Sequence, residues 1–157
     1  MREDGRFEKS GNASLLTCLE GSGATSYGVF MASPTGFAGL SEMEKQYFAV
    51  CLLDGEICNG GYDQFFFDHA GSHYNYALLG LKDMGADQTL ALLLQAKQVL
   101  FAFNEVPEET GRRRAAMRMN LSDSQTVLLE QLASLHWKDP DDLKLRCEAF
   151  ARRHKLI

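Results

Sequence analysis

Glu56-Ile57-Cys58-Asn59-Gly60-Gly61-Tyr62-Asp63-Gln64-Phe65-Phe66-Phe67-Asp68 is the stretch on which the fold of this chain turns. Asn-Gly-Gly between two apolar segments demands backbone torsions that glycine tolerates and most residues do not, so the chain bends sharply there. Directly after the bend, Tyr62, Phe65 and Phe66 fall at helical spacing on one face. Burying each ring contributes roughly 1.5–3 kcal/mol, which makes the segment an anchor for a core. Glu56, four residues before Gly60, is placed to reach across the turn and bond the amides that a tight bend leaves free. Gln64 is placed to serve the turn or the following helix end.

Helical signals extend outward from this turn. Ser41-x-x-Glu44 is a capping box, and behind it Met43, Tyr47, Val50, Cys51 and Leu52 form one apolar stripe of a helix running to about Ile57. A short helix over Tyr62–His69 follows the turn. Gly71-Ser72 starts the next, with Tyr76, Leu78, Leu79 and Leu81 facing inward up to a stop at Met84-Gly85. Asp87 caps a long apolar helix over Gln88–Phe103. Val106-Pro107-Glu108-Glu109 is a helix-start pattern leading into Arg112–Arg118. Ser122-Asp123 opens a helix through His136, and Asp139-Pro140 opens the last, through about His154. No segment alternates apolar and polar residues long enough for a strand. The fold class is therefore all-α, a compact bundle of about six helices over residues 40–157. Residues 1–39 are rich in Gly and Ser and read as an irregular extension with a short helix near Asn12–Leu19.

At 157 residues with 45% hydrophobic content and three Pro, the chain is one globular domain's worth. It begins Met1-Arg2-Glu3-Asp4, with acids where a signal peptide wants bases, and Leu15-Leu16-Thr17-Cys18-Leu19 is too short for a signal core. No run approaches a membrane span. A cytoplasmic protein without membrane contact is the expectation. Cys18, Cys51, Cys58 and Cys147 form no Cys-x-x-Cys pair, which agrees with a reducing compartment. Cys51 reads as a small core residue, and Cys58, beside the turn, as a packed thiol.

Charge is uneven along the chain. Fifteen acids face six bases over residues 1–109, a balance of −9, and ten bases face six acids over residues 110–157, a balance of +4. A molecule so divided is dipolar in sequence.

The turn residues also carry a resemblance. Glu56, Asn59-Gly60-Gly61, Tyr62, Gln64-Phe65-Phe66 and Gly71 resemble the signature of a bacterial family of small helical domains, named for a DNA-mimic protein whose C-terminal domain defines it. The likeness continues through Ala77-Leu78, Leu81, Met84-Gly85-Ala86, Ala91, Leu93 and Ala96, and more weakly through Val106-Pro107 and Arg112-Arg113, covering about residues 40–120. Tyr62 stands where Phe is more usual, and Asp68 where Asn is expected. Near the C-terminus, Leu132-Ala133 precedes His136-Trp137 where the family tends to show Leu-Asp. The resemblance implies a helical domain that, in its best-known member, presents carboxylates in place of DNA phosphates to a DNA-binding protein.

Side chains with chemical potential have plain alternatives. His69 and His73 are four apart, as metal ligands on one helix would be, but Gly71-Ser72 intervenes and no His-Glu-x-x-His pattern is present, so no metal site is expected. Asp63 and Asp68, five apart, fall on different faces of a helix. Arg112-Arg113-Arg114 with Arg118 lacks the interleaved aromatics of a nucleic-acid surface and reads as a solvated face or as a mate for Glu105, Glu108 and Glu109. No phosphate loop, nucleophile elbow or Cys/His catalytic arrangement appears. Neither a catalytic residue nor a cofactor is expected. The leading expectation is a non-enzymatic protein-binding domain, a DNA mimic that offers Asp63, Asp68, Asp83, Asp87, Glu105, Glu108 and Glu109 to a partner with a basic surface, such as a DNA-binding regulator, without contacting nucleic acid itself. The alternatives are a small enzyme or ligand-binding domain using Cys58, Asp63, His69 and His73 near the turn, and an immunity-type protein that binds a toxin.

Overall fold

The Ser41 signal opens a helix as its sequence requires. In the computed structural model, which describes residues 36–156, the Ser41 hydroxyl accepts from the Glu44 amide at 3.3 Å and Glu44 Oε2 accepts from the Ser41 amide at 2.7 Å. Two N–H groups left over at a helix start are thereby satisfied. Helix α1 runs Glu42–Gly60. It passes the expected end at Ile57 because Asn59 and Gly60 complete its last turn before Gly61 leaves it. Residues 46–51 are buried without interruption, so α1 is not the one-striped helix that Met43, Tyr47, Val50, Cys51 and Leu52 suggest. It is the central helix, the one most extensively packed against the others.

The remaining helices are α2 (Tyr62–Phe67), a 3-10 stretch (His69–His73), α3 (Tyr74–Asp83), α4 (Asp87–Phe101), α5 (Thr110–Ala116), α6 (Asp123–Trp137) and α7 (Leu143–Arg153). All regular structure among the described residues is helical, and the all-α class holds, with seven α-helices where about six were expected. α1 packs most extensively against α3, α2 docks on α1, and α6 lies against α4. No described helix is long and apolar enough to cross a membrane.

Several boundaries differ from the sequence expectation for local reasons. α2 stops at Phe67 instead of His69 because Asp68 is extended. Gly71-Ser72 lie inside the 3-10 stretch instead of starting α3. α4 ends at Phe101, since Ala102 turns to φ 53°. α5 covers Thr110–Ala116 instead of 112–118, and α7 starts at Leu143, after Asp139 and Asp142 take φ 49° and 53°. Leu79, expected inward, is 48% exposed. The expected helix near Asn12–Leu19, most of the Gly/Ser-rich extension and Cys18 lie outside the described residues.

Asp87 does not cap α4. The N-cap position is Ala86, which has no side chain to offer. Asp141, from the α6–α7 connection, does the work instead: its Oδ2 accepts from the Thr89 amide at 2.6 Å and the Thr89 hydroxyl at 2.8 Å. The start of α4 and the approach to α7 are thus tied together.

Tyr47, Tyr62, Phe65, Phe66, Phe101 and Phe150 are all inaccessible to solvent, which confirms the aromatic anchor after the turn. Phe66 is its centre, 5.1 Å from the Phe65 ring, 5.4 Å from Tyr74 and 5.2 Å from Phe101. Cys51 is buried as expected, whereas Cys58 is exposed.

Candidate functional site

The geometry of the turn explains its residues. Gly61 adopts φ 91°, a region that disfavours any side chain, and its amide closes α1 onto the Ile57 carbonyl at 3.0 Å. A methyl group at Gly60 would overlap the side-chain amide of Gln64, which folds back over it. From there Gln64 Nε2 donates to Glu56 Oε2 at 2.7 Å. Glu56 therefore does reach across the bend, but it takes a side-chain amide, not the backbone amides expected of it. Burial pushes the Glu56 carboxyl up, the Gln64 bond opposes that shift, and the charge of Asp68 adds to it. Tyr62, Phe65 and Phe66 then enter the core.

Arg113 is the largest departure from a surface reading of the arginine run. It is completely buried. Its Nε donates to the Phe66 carbonyl at 2.7 Å, Nη2 to the Asp68 carbonyl at 2.7 Å, and Nη1 to the carbonyls of Glu108 at 2.8 Å and Pro107 at 3.1 Å. The hydroxyls of Ser72 and Thr110 complete the set at 3.1 and 3.3 Å. The planar fork suits this role because it holds five donors in fixed directions. These carbonyls lie at the end of α2 and at the entry to α5, that of Asp68 also accepting from the Gly71 amide at 3.1 Å, so one side chain holds the two together. Arg114, beside it, donates to the Phe67 carbonyl at 2.8 Å and lies 4.2 Å above the Phe67 ring. Arg113 is thus neither on a solvated face nor ion-paired with Glu105, Glu108 or Glu109, whereas Arg114 is exposed, as a solvated face requires, and its nearest carboxylate is that of Asp68.

Two pairs of the acidic residues singled out from the sequence stand together. Asp63 and Asp68 line one cleft of about 450 Å³ beside Phe67 and Met117. Arg113 holds the Glu108 main chain near that of Asp68 by bonding both carbonyls. Glu105 precedes Glu108 in the same exposed loop. Glu109 caps α5, with its two oxygens accepting from the Gly111 and Arg112 amides at 2.8 and 2.7 Å, and those bonds hold its carboxyl below the usual range. Asp68 lies 4.0 Å from Arg114. Asp83 and Asp87 stand at the α3–α4 corner, where Arg153 donates to the Asp83 carbonyl at 3.1 Å.

Cys58, Asp63, His69 and His73 are not brought together. His69 is exposed, with Nδ1 at 3.5 Å from the Thr110 hydroxyl. His73 stacks on Phe37 at 4.0 Å, and burial, reinforced by the charge of Arg113, lowers its pKa to about 4. Cys58 instead sits with Asp54 and His136, a grouping that motif reading missed. His136 Nε2 lies 2.9 Å from Asp54 Oδ1, and its Nδ1 lies 3.5 Å from the Tyr62 hydroxyl. Burial and the charge of Asp54 push that hydroxyl well up, so it stays protonated. Asp54 and Cys58 are four apart on α1; that spacing was the available signal, without His136 to give it meaning.

No curated protein and no solved structure matches the chain. A protein-family model does, described as DMP19-like protein, over residues 38–154. The match extends past residue 120, where the motif likeness fades, and takes in α6 and α7 together with the turn and Arg113. The chain belongs to the DMP19-like protein family.

Proposed function

We propose that this chain is a non-enzymatic binding domain that presents carboxylates to the basic surface of a DNA-binding protein. Membership of the family supports a DNA-mimic role. The structural observation that carries the reading is where the arginines go. Arg113, Arg114, Arg146 and Arg153 direct hydrogen bonds at main-chain carbonyls: those of Phe66 and Phe67, of Asp141 and of Asp83 among them. Consequently Asp63, Asp83, Asp87, Glu105 and Glu108 are exposed and enter no ion pair among the described residues. Carboxylates kept out of internal pairs are available to cationic pockets shaped for phosphate. Asp63, Asp68, Glu105 and Glu108 make the principal contact, Glu109 adds charge behind them, and Asp83 and Asp87 form a second acidic corner.

The decisive experiment uses the full chain as bait in host lysate at low salt. A DNA-binding protein should be retained, then released both by a salt step and by added duplex DNA. Bait carrying Asp63→Lys, Glu105→Lys and Glu108→Lys should retain none of it. Retention that ignores salt, duplex DNA and the triple substitution overturns the proposal. The immunity-type reading uses the same face, and a retained toxin that duplex DNA does not release would select it. The reading as an enzyme or ligand-binding domain draws no support from the placement of Cys58, Asp63, His69 and His73.

A further inference from the structure

Asp54, Cys58 and His136 meet at the end of α1 that leads into the Gly60-Gly61 turn, and the binding role above leaves them unused. Asp54 and Cys58 stand one helical turn apart on the same face of α1. His136, 82 residues beyond Asp54, reaches them from the last turn of α6. Asp54 Oδ1 lies 2.9 Å from His136 Nε2 and 3.9 Å from Cys58 Sγ, and one ligand atom from each side chain lies within 4.8 Å of the other two. Tetrahedral zinc, with bonds of about 2.0–2.3 Å, places its ligand atoms roughly 3.3–3.6 Å apart. The histidine and carboxylate need to separate by a few tenths of an ångström. Cys58 is exposed, so its side chain closes the remaining gap without disturbing the core.

We propose that Asp54, Cys58 and His136 bind one divalent transition-metal ion, zinc by the chemistry of the donors, with a fourth position open to solvent. A thiolate with an imidazole selects zinc over magnesium or calcium, which take oxygen ligands. Thiolate and carboxylate together balance the dication, so a half-buried site carries no net charge. The ring is already oriented, because Tyr62 meets it edge-on at 6.0 Å and sets its hydroxyl near Nδ1. Metal-binding histidines need such a partner on the other nitrogen. On binding, the ring hydrogen that Nε2 directs at Asp54 is exchanged through solvent to Nδ1, where it faces the Tyr62 hydroxyl, Nε2 takes the metal, and the Cys58 thiol proton goes to solvent. The ion then fastens the end of α1 to α6 immediately before the turn.

The plain alternative is a structural cluster in which Asp54 Oδ1 accepts from Cys58 Sγ and lies against His136 Nε2, so metal–sulfur bonding discriminates. Trp137, the chain's one tryptophan, adjoins His136 and donates to the Ile57 carbonyl at 3.2 Å, which makes it a local reporter. The experiment titrates cobalt(II) into the full chain carrying Cys18→Ser, with Cys51 and Cys147 buried. One equivalent should produce sulfur-to-cobalt charge transfer, tetrahedral d–d absorption and quenching of Trp137, all reversed by zinc. Cys58→Ser, an exposed change that leaves the fold intact, should abolish the charge transfer and weaken binding at least tenfold. Asp54→Asn should weaken binding and retain the charge-transfer band at saturation. Absence of charge transfer at stoichiometric cobalt, or a band undiminished in Cys58→Ser, overturns the proposal whatever becomes of the partner-binding role.

Discussion

A methyl group added at Gly71 would stand 2.6 Å from Arg113 Nε: the glycine and the arginine are fitted to one space. The same methyl would lie 2.9 Å from the carbonyl oxygens of Phe65 and Phe66, so the backbone blocks any easy retreat. Gly71→Ala should cost about 2 kcal/mol through overpacking. For a domain of this size that lowers Tm by roughly 4–8 °C, measurable by thermal melting.

Arg113→Lys tests whether geometry or charge holds α2 to α5. An ammonium keeps the charge but has three donors on a single centre, where the guanidinium serves four carbonyls and two hydroxyls. The substitution should destabilise by about 2–4 kcal/mol in denaturant unfolding, since several buried carbonyls lose their partner. Arg112→Lys, at an exposed position, should change stability by less than about 0.5 kcal/mol.

Asp141→Ala should destabilise by about 1–2 kcal/mol, the usual cost of losing an N-cap. Asp87→Ala, which removes the residue that sequence nominates as the cap, should cost about 0.3–1 kcal/mol through the helix dipole alone. Equal melting temperatures for the two variants would contradict the assignment of the cap to Asp141.

Glu56→Ala should lower Tm, because Gln64 then lies across the turn without its acceptor. A double-mutant cycle with Gln64→Ala should give a coupling energy of about 0.5–3 kcal/mol, as expected for side chains in direct contact. Additive losses would mean that the bond across the turn does not help to hold it.

His73 makes stability depend on pH. Burial, then the charge of Arg113, lowers its folded pKa from 6.5 to about 4, so the folded state prefers the neutral ring. Its contribution is therefore complete above the unfolded value of about 6.5 and is lost as pH falls from there towards about 4. Tm should decline through that window, and His73→Phe, which keeps a ring against Phe37, should flatten the decline. Asp141 acts lower on the scale: burial pushes its carboxyl up, but the Thr89 bonds bring it below the usual range. Its contribution is lost only as pH falls below about 3.9.

The Ser41 capping box, the helix start at Ser122, the Gly60-Gly61 turn and the buried aromatics behind it were legible because their signals are local. Ser41 and Ser122 find their partners three residues on, and Tyr62, Phe65 and Phe66 declare a face by spacing alone. What could not be read depends on residues far apart in sequence. Arg113 looks like its neighbours Arg112 and Arg114 until the carbonyls of Phe66 and Asp68 are placed beside it. Asp141 is 52 residues from the amide it caps, and Asp54 is 82 from His136. The acidic residues were visible individually, but that Asp63 and Asp68 line one cleft with Met117 and Arg118 was not.

The bonds of Arg113 also bear on how the fold loosens. A single cation gathers carbonyls from residues 66–68 and 107–108, so α5 cannot lift away while the end of α2 stays in place without stripping several acceptors at once. Fraying at either site therefore propagates to the other. In amide hydrogen exchange the two stretches should share one opening free energy and behave as a single cooperative unit, although some forty residues separate them along the chain.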